Sequence, residues 1–322
     1  VIETLELCMS THPAFLFPGQ GSQSVGMLSE LAQAHPQVRA TFDEASDVLG
    51  YDLWALVQSG PEEALNQTEH TQPAMLAAGV AVWRCWREQG GAMPSVMAGH
   101  SLGEYSALAC AGALTFADAV GLVAERARLM QVAVPADVGA MAAVLGLDDE
   151  AVALVCREQA SEQVLEPVNF NAPGQVVIAG ERDAVLRAVE AAKAAGAKRA
   201  VLLPVSVPSH CALMRDAAAQ LAVRLEQTEL HAPSIPVLHN VSVEAAESPE
   251  QIRDLLMRQL YSPVRWVETV RAIADRGVQL AIEAGPGKVL TGLVKRIDKR
   301  LMTLPLFDPD GLSKAVEASA NG

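Results

Sequence analysis

Residues 95–110 read Ser-Val-Met-Ala-Gly-His-Ser-Leu-Gly-Glu-Tyr-Ser-Ala-Leu-Ala-Cys, and the reading of this stretch decides the fold. Residues 95–98 suit a buried strand, residues 102–110 suit a helix, and Gly99-His100-Ser101-Leu102-Gly103 joins them. A GxSxG turn between strand and helix lifts a serine hydroxyl clear of the sheet, while its glycines allow tight backbone packing. The first turn of the helix also offers unpaired N–H groups where an oxyanion would develop. A chance match in a glycine-bearing turn is the bland alternative, but the strand-to-helix setting is the one the chemistry requires. Ser101 is the candidate nucleophile.

Upstream, residues 14–17 form a short apolar strand that runs into Pro-Gly-Gln-Gly-Ser-Gln at 18–23. Helical patterns continue to about Gln89, broken by turn signals at Gly60-Pro61 and Gly90-Gly91. Residues 116–132 read as another helix. This alternation predicts an α/β fold with a mainly parallel sheet. A different rhythm follows, with strands at 141–145, 164–170, 175–179 and 199–205 and helices at 149–159 and 182–195. The order βαββαβ is that of a ferredoxin-like unit. It predicts a small subdomain at 136–205 inserted into a larger α/β domain made of 9–135 and 206–322. Strands at 236–239 and 279–283 return to the large sheet.

Bulk properties narrow the class. The chain has 322 residues, half of them apolar, enough for one large domain or two smaller ones. No uninterrupted apolar run reaches the roughly 18 residues of a membrane helix, so no membrane partner is expected. Residues 1–8 lack the pattern of a secretory signal, and Met9 reads as a natural start after an upstream remnant. Five scattered cysteines without a CxxC pair argue against a disulfide framework or a cysteine-rich zinc site and fit a reduced, cytoplasmic setting. A net charge of −14 disfavours nonspecific nucleic-acid binding.

A serine nucleophile needs a base, normally histidine. Of seven histidines, His35 and His231 lie near prolines, His70 sits in a polar stretch, His239 adjoins Asn240, and His100 could pack beneath the turn. His210 follows the predicted strand 199–205 and precedes an apolar helix, so it ranks first. Asp216 and Glu283 are candidates to orient it, and a backbone carbonyl could serve instead.

Arg126 gives the substrate clue. Its helical neighbours Leu122, Val123, Leu129 and Met130 are all apolar, so it projects from a buried face. Arg128 lies on a mixed face compatible with solvent. A buried guanidinium needs an anionic partner and matches a carboxylate with two parallel hydrogen bonds. That partner is either an internal Asp or Glu or a carboxylate on the acyl group.

Five separated motifs carry a resemblance: Phe17-Pro-Gly-Gln-Gly-Ser-Gln23, Gly99-His-Ser-Leu-Gly-Glu-Tyr105, Val207-Pro-Ser-His210, Gln259-Leu-Tyr-Ser-Pro-Val264 and Glu283-Ala-Gly-Pro-Gly287. From about Ala14 to Phe307 the chain resembles the malonyl-CoA:acyl-carrier-protein transacylases of fatty-acid synthesis. The resemblance implies an α/β-hydrolase-like core with a ferredoxin-like insert. It implies Ser101 as nucleophile, His210 as base and the Gln259 backbone as acceptor of the imidazole N–H. Gln20 and Leu102 would lend backbone N–H groups to an oxyanion hole, and Arg126 would bind the malonyl carboxylate. Gln72, Met130, Asn171 and Val289 are similar to pocket or cleft residues. The substrates would be malonyl-CoA and acyl carrier protein, handled by a monomer with no metal or bound cofactor. Because both proteins would be acidic, docking needs a local basic patch, either Lys288, Lys295, Arg296, Lys299 and Arg300 or Lys193, Lys198 and Arg199. The rivals are a serine hydrolase, a transacylase for another extender or for a polyketide pathway, and a noncatalytic carrier-binding scaffold.

Overall fold

A computed structural model describes residues 12–135, 137–205 and 207–320. Residues 1–8 and the start at Met9 lie outside the described residues. Nine strands occur among the described residues: β1 (Ala14–Phe17), β2 (Val96–Gly99), β3 (Gly139–Leu145), β4 (Leu165–Ala172), β5 (Gln175–Glu181), β6 (Arg199–Leu202), β7 (Val237–Leu238), β8 (Leu280–Ala284) and β9 (Met302–Leu306).

Five strands form a parallel sheet in the order β7-β2-β1-β8-β9. Every residue of β1 and β2 is buried, so both faces of these central strands are covered. Such strands read as continuous apolar runs rather than as alternating ones. Successive side chains point to opposite faces. Phe15 and Phe17 join the helices Thr68–Glu88 and Phe116–Ala133 in one core, where the Phe15 ring meets Trp83 and Trp86 edge-on at 5.2 and 5.0 Å. Ala14 and Leu16 face the other way, onto Trp266, Val270 and Ile273 of the helix Trp266–Asp275.

The other four strands form an antiparallel sheet in the order β4-β5-β3-β6. Ala142, Val144, Val176 and Ile178 bury one face under the helices Asp149–Ala160 and Arg182–Ala194. The opposite face contributes Met141 and Val177 to the cavity between the two sheets. The sheets are stitched together at Val264, which donates to the Val168 carbonyl at 2.8 Å and accepts from Phe170 N at 3.0 Å.

Sequence reading missed β9, whose Pro305 argues against a central strand. The strand lies at the sheet edge, where the absent N–H is tolerated. The strand expected at 199–205 stops at Leu202, just short of Pro204.

Glycine fixes the crossing of β2 into the next helix, Gly103–Cys110. A Cβ on Gly103 would lie 2.0 Å from the Phe17 carbonyl oxygen, and one on Gly99 would lie 1.8 Å from the Gly103 carbonyl carbon. Both contacts are with backbone, which cannot swing aside. Gly103→Ala is therefore expected to cost at least about 2 kcal/mol in urea unfolding. A loss below about 0.5 kcal/mol would contradict this packing argument.

Candidate active site

Ser101 sits at the tip of that crossing with φ 51°, a left-handed conformation that a non-glycine residue holds only when its surroundings enforce it. Asn240, just beyond β7, supplies the enforcement. Its Oδ1 accepts from Ser101 N at 2.7 Å, and its Nδ2 donates to the Gly99 carbonyl at 2.6 Å. The turn is thus clamped from both ends by one side chain.

His210 is also left-handed, with φ 67°, and its N–H donates to the Leu260 carbonyl at 2.9 Å. Its ring spans two partners. Nδ1 lies 2.8 Å from the Gln259 carbonyl, and Nε2 lies 2.7 Å from Ser101 Oγ. A carbonyl can only accept, so Nδ1 carries the proton and Nε2 is left to accept from the serine hydroxyl. Of the alternatives for orienting this ring, the backbone carbonyl is the one present. Asp216 is exposed, and Glu283 instead caps the helix Val289–Ile297, accepting from Leu290 N at 2.8 Å and Thr291 N at 2.7 Å. Burial, followed by the nearby Arg126 charge, lowers the His210 pKa to about 3, against the opposing effect of its bond to Gln259.

Arg126 is 1% exposed. Its Nη1 donates to Gln72 Oε1 at 2.6 Å, and its Nη2 donates to Gln259 Oε1 at 3.0 Å, lying 3.4 Å from Ser101 Oγ. Both strong partners are neutral amides. Among the described residues no carboxylate pairs with it, whereas Arg128 pairs with Glu125 at the surface. Arg126 Nε is buried without a partner. Burial accordingly pulls its pKa below the usual guanidinium value.

Gln20, Gln72, Leu102, Met130 and Asn171 line the same cavity as Ser101, Arg126 and His210, which opens to solvent. Gly19 brings Gln20 there, since a Cβ at that position would lie 2.5 Å from the His100 carbonyl oxygen. Gln259 reaches the site through its hydrogen bonds. Val289 does not line the cavity; it is 48% exposed at the start of its helix.

Four further polar residues belong to the site: the spacing ranks His100 and His239 below His210 and gives Asn240 and Glu104 no role. His100 lines the cavity, with Nε2 2.7 Å from Asn171 Oδ1 and its ring against Trp266. Asn240, His239 and Glu104 form a buried polar cluster beneath Ser101. Two signals pointed there: Glu104 is the one charged residue of an apolar helix, and His239-Asn240 follow a parallel strand at its carboxyl end, where sites collect. No group of three or more His, Cys, Asp or Glu residues suited to a metal occurs among the described residues.

Residues 14–310 match the acyl transferase domain family, and the chain is an acyltransferase. A malonyl CoA-acyl carrier protein transacylase of Salmonella typhimurium is 60% identical over 306 residues, spanning 95% of this chain and 99% of the relative. That of Bacillus subtilis is 45% identical over 94% of this chain and 96% of its own. The solved acyl carrier protein S-malonyltransferase of Vibrio cholerae has a TM-score of 0.92 at 59% identity, covering 94% of this chain and 98% of its own. A solved complex of a type II PKS acyl-carrier protein with its malonyl-transacylase has a TM-score of 0.94 at 59% identity, covering 95% and 99%. The chain belongs to the malonyl CoA-acyl carrier protein transacylase family.

The buried imidazole generates a pH prediction. Unfolded His210 takes up a proton below about 6.5, while the folded ring stays neutral until about 3. Below 6.5 the unfolded state binds the extra proton, so this residue's effect is to lower stability as pH falls from 6.5 toward 3. Catalytically, kcat/KM for acyl transfer should hold its value down to at least about pH 5. An acid limb with an apparent pKa near 6.5 would contradict the burial argument.

Proposed function

We propose that this enzyme moves a malonyl group from malonyl-CoA to the phosphopantetheine thiol of acyl carrier protein through an ester on Ser101. One observation carries the reading: a buried arginine with no carboxylate partner among the described residues stands 3.4 Å from the serine hydroxyl. A malonyl thioester brings the carboxylate that this guanidinium lacks, on the far side of the carbonyl to be attacked.

The steps follow from the geometry. Ser101 Oγ attacks the thioester carbon as its proton passes to His210 Nε2, and the Gln259 carbonyl steadies the resulting imidazolium through Nδ1–H. Backbone N–H groups of Gln20 and Leu102 receive the oxyanion. The C–S bond breaks, and the imidazolium returns its proton to the departing CoA sulfur. The carrier thiol then gives its proton to His210 and attacks the malonyl ester, and collapse reprotonates Ser101. This is ping-pong chemistry and calls for no metal or bound cofactor. Pairing Arg126 with the malonyl carboxylate also offsets one cause of the lowered His210 pKa, so the carboxylated substrate strengthens its own base.

We read 9–135 and 206–322 as the catalytic subdomain and 136–205 as a ferredoxin-like subdomain. The order β4-β5-β3-β6 supports the second reading. A monomer suffices, since every residue named in the mechanism comes from one chain. The free thiols of Cys85, Cys110, Cys156 and Cys211 support a cytoplasmic setting. For the carrier we favour Lys288, Lys295 and Arg296, where Arg296 donates to the neutral amide of Gln175. Arg300 is held by Asp275 and Asp298, and Lys193 by Glu190.

Arg126→Ala should cut malonyl transfer by about 100-fold more than transfer of an uncharged acetyl group. Equal losses for both donors would remove its role and, with it, the main support for a malonyl substrate. Reversing the charges at Lys295 and Arg296 should raise the KM for the carrier several-fold and leave the KM for malonyl-CoA alone. An unchanged carrier KM would move the docking site elsewhere.

A further inference from the structure

Glu104 is fully buried three positions after Ser101, and it touches neither the cavity nor the serine side chain. Its carboxyl group collects donors from two distant parts of the chain. Oε1 accepts from His239 Nδ1 at 2.7 Å. Oε2 accepts from Asn240 N at 2.9 Å and from Gln259 Nε2 at 2.8 Å. The loop that brings His239 and Asn240 is tightly built: Val243 holds φ 65°, Val243 N donates to the His239 carbonyl at 2.9 Å, and His239 N donates to the Glu244 carbonyl at 3.1 Å. A left-handed valine is costly, so this loop is held in place by its contacts.

The Gln259 side chain shows what the carboxyl group achieves. Its Nε2 donates to Glu104 Oε2 and, at 3.1 Å, to the Ser101 carbonyl. Its Oε1 accepts from Arg126 Nη2 at 3.0 Å. An amide carries donors at one end and an acceptor at the other. Turned about, Gln259 would set its oxygen against two other acceptors and its NH₂ against the guanidinium, losing all three bonds. Glu104 accepts from this amide at Oε2 and so fixes which end of it faces the arginine. With Gln72 Oε1 on the other side, Arg126 is then held by two neutral acceptors, its charge left for the substrate.

We infer that Glu104 is a positioning residue that acts through the Gln259 amide to aim Arg126 at the acyl carboxylate, and so sets the preference for malonyl over uncharged acyl groups. This rests on the malonyl-transfer reading. Glu104→Gln keeps the volume but can offer an N–H to Gln259, which lets that amide turn and present its own NH₂ to the guanidinium. Arg126 then loses its aimed pose; any effect through Asn240 on Ser101 falls on both donors alike and cancels in the malonyl-to-acetyl ratio.

The test measures malonyl and acetyl transfer from their CoA thioesters to holo acyl carrier protein by wild type, E104Q, Gln259→Met and the double variant. A wild-type preference for malonyl in the same assay secures the underlying reading; its absence would defeat that reading rather than the role of Glu104. E104Q is expected to lower malonyl transfer about tenfold more than acetyl transfer, with little further loss of preference in the Gln259→Met background. Equal losses for the two donors, an unchanged preference, or fully additive effects in the double variant would overturn the inference. If E104Q does not fold, Glu104→Asp takes its place in the same assay, because the shorter carboxylate draws back from the Gln259 amide while leaving the amide's bond to Arg126 in place. A wild-type preference in that variant would overturn the inference, and a tenfold loss of preference would support it.

Discussion

A guanidinium kept out of water without an anionic partner is costly, and the rest of the site is organised around that cost. Arg126 enters the core from the helix Phe116–Ala133 because its turn-to-turn neighbours are apolar. Two glutamine oxygens satisfy part of its hydrogen-bonding capacity and none of its charge. The same charge and the same burial hold the His210 imidazole neutral. On the proposed mechanism, selectivity and basicity therefore share one electrostatic condition.

Backbone geometry delivers the reacting atoms to that condition. Ser101 and His210 are both left-handed, and neither is glycine. Each is held by hydrogen bonds from remote segments: Asn240 on the serine turn at both Gly99 and Ser101, Leu260 and Gln259 around the histidine. The close approach of Gly103 to Phe17 seats the turn on the end of β1, and that of Gly19 to His100 brings Gln20 alongside. Gln259 joins the two halves. Its backbone carbonyl accepts from His210 Nδ1, and its side chain links Arg126, Ser101 and Glu104.

Much of this was legible in the sequence because it rests on local pattern. The GxSxG turn needs only a strand before it and a helix after it, and the buried face of Arg126 follows from helical spacing alone. The alternation of strands and helices gave the parallel sheet. Contacts between distant segments left fainter marks. Asn240 reaches Ser101 across 139 residues and His239 reaches Glu104 across 135, with no periodicity to join them. Asp216 and Glu283 could not be separated from a backbone carbonyl as the partner of His210, since any residue has a carbonyl and the choice is made by tertiary approach. β9 was hidden by its proline, which an edge position excuses. The resemblance to a family reached further than spacing did, naming Gln259 and Gln20 where pattern alone was silent.

The central claim is that the acyl group rests on Ser101 between two half-reactions and that water does not compete with the carrier thiol. Intact-mass measurement after mixing with malonyl-CoA tests this most directly, with Ser101→Ala alongside. The account predicts a single malonyl adduct on the wild-type chain alone, long-lived in buffer and discharged on addition of holo acyl carrier protein. An adduct on the Ser101→Ala chain, or one lost to water as fast as to the carrier, would contradict it.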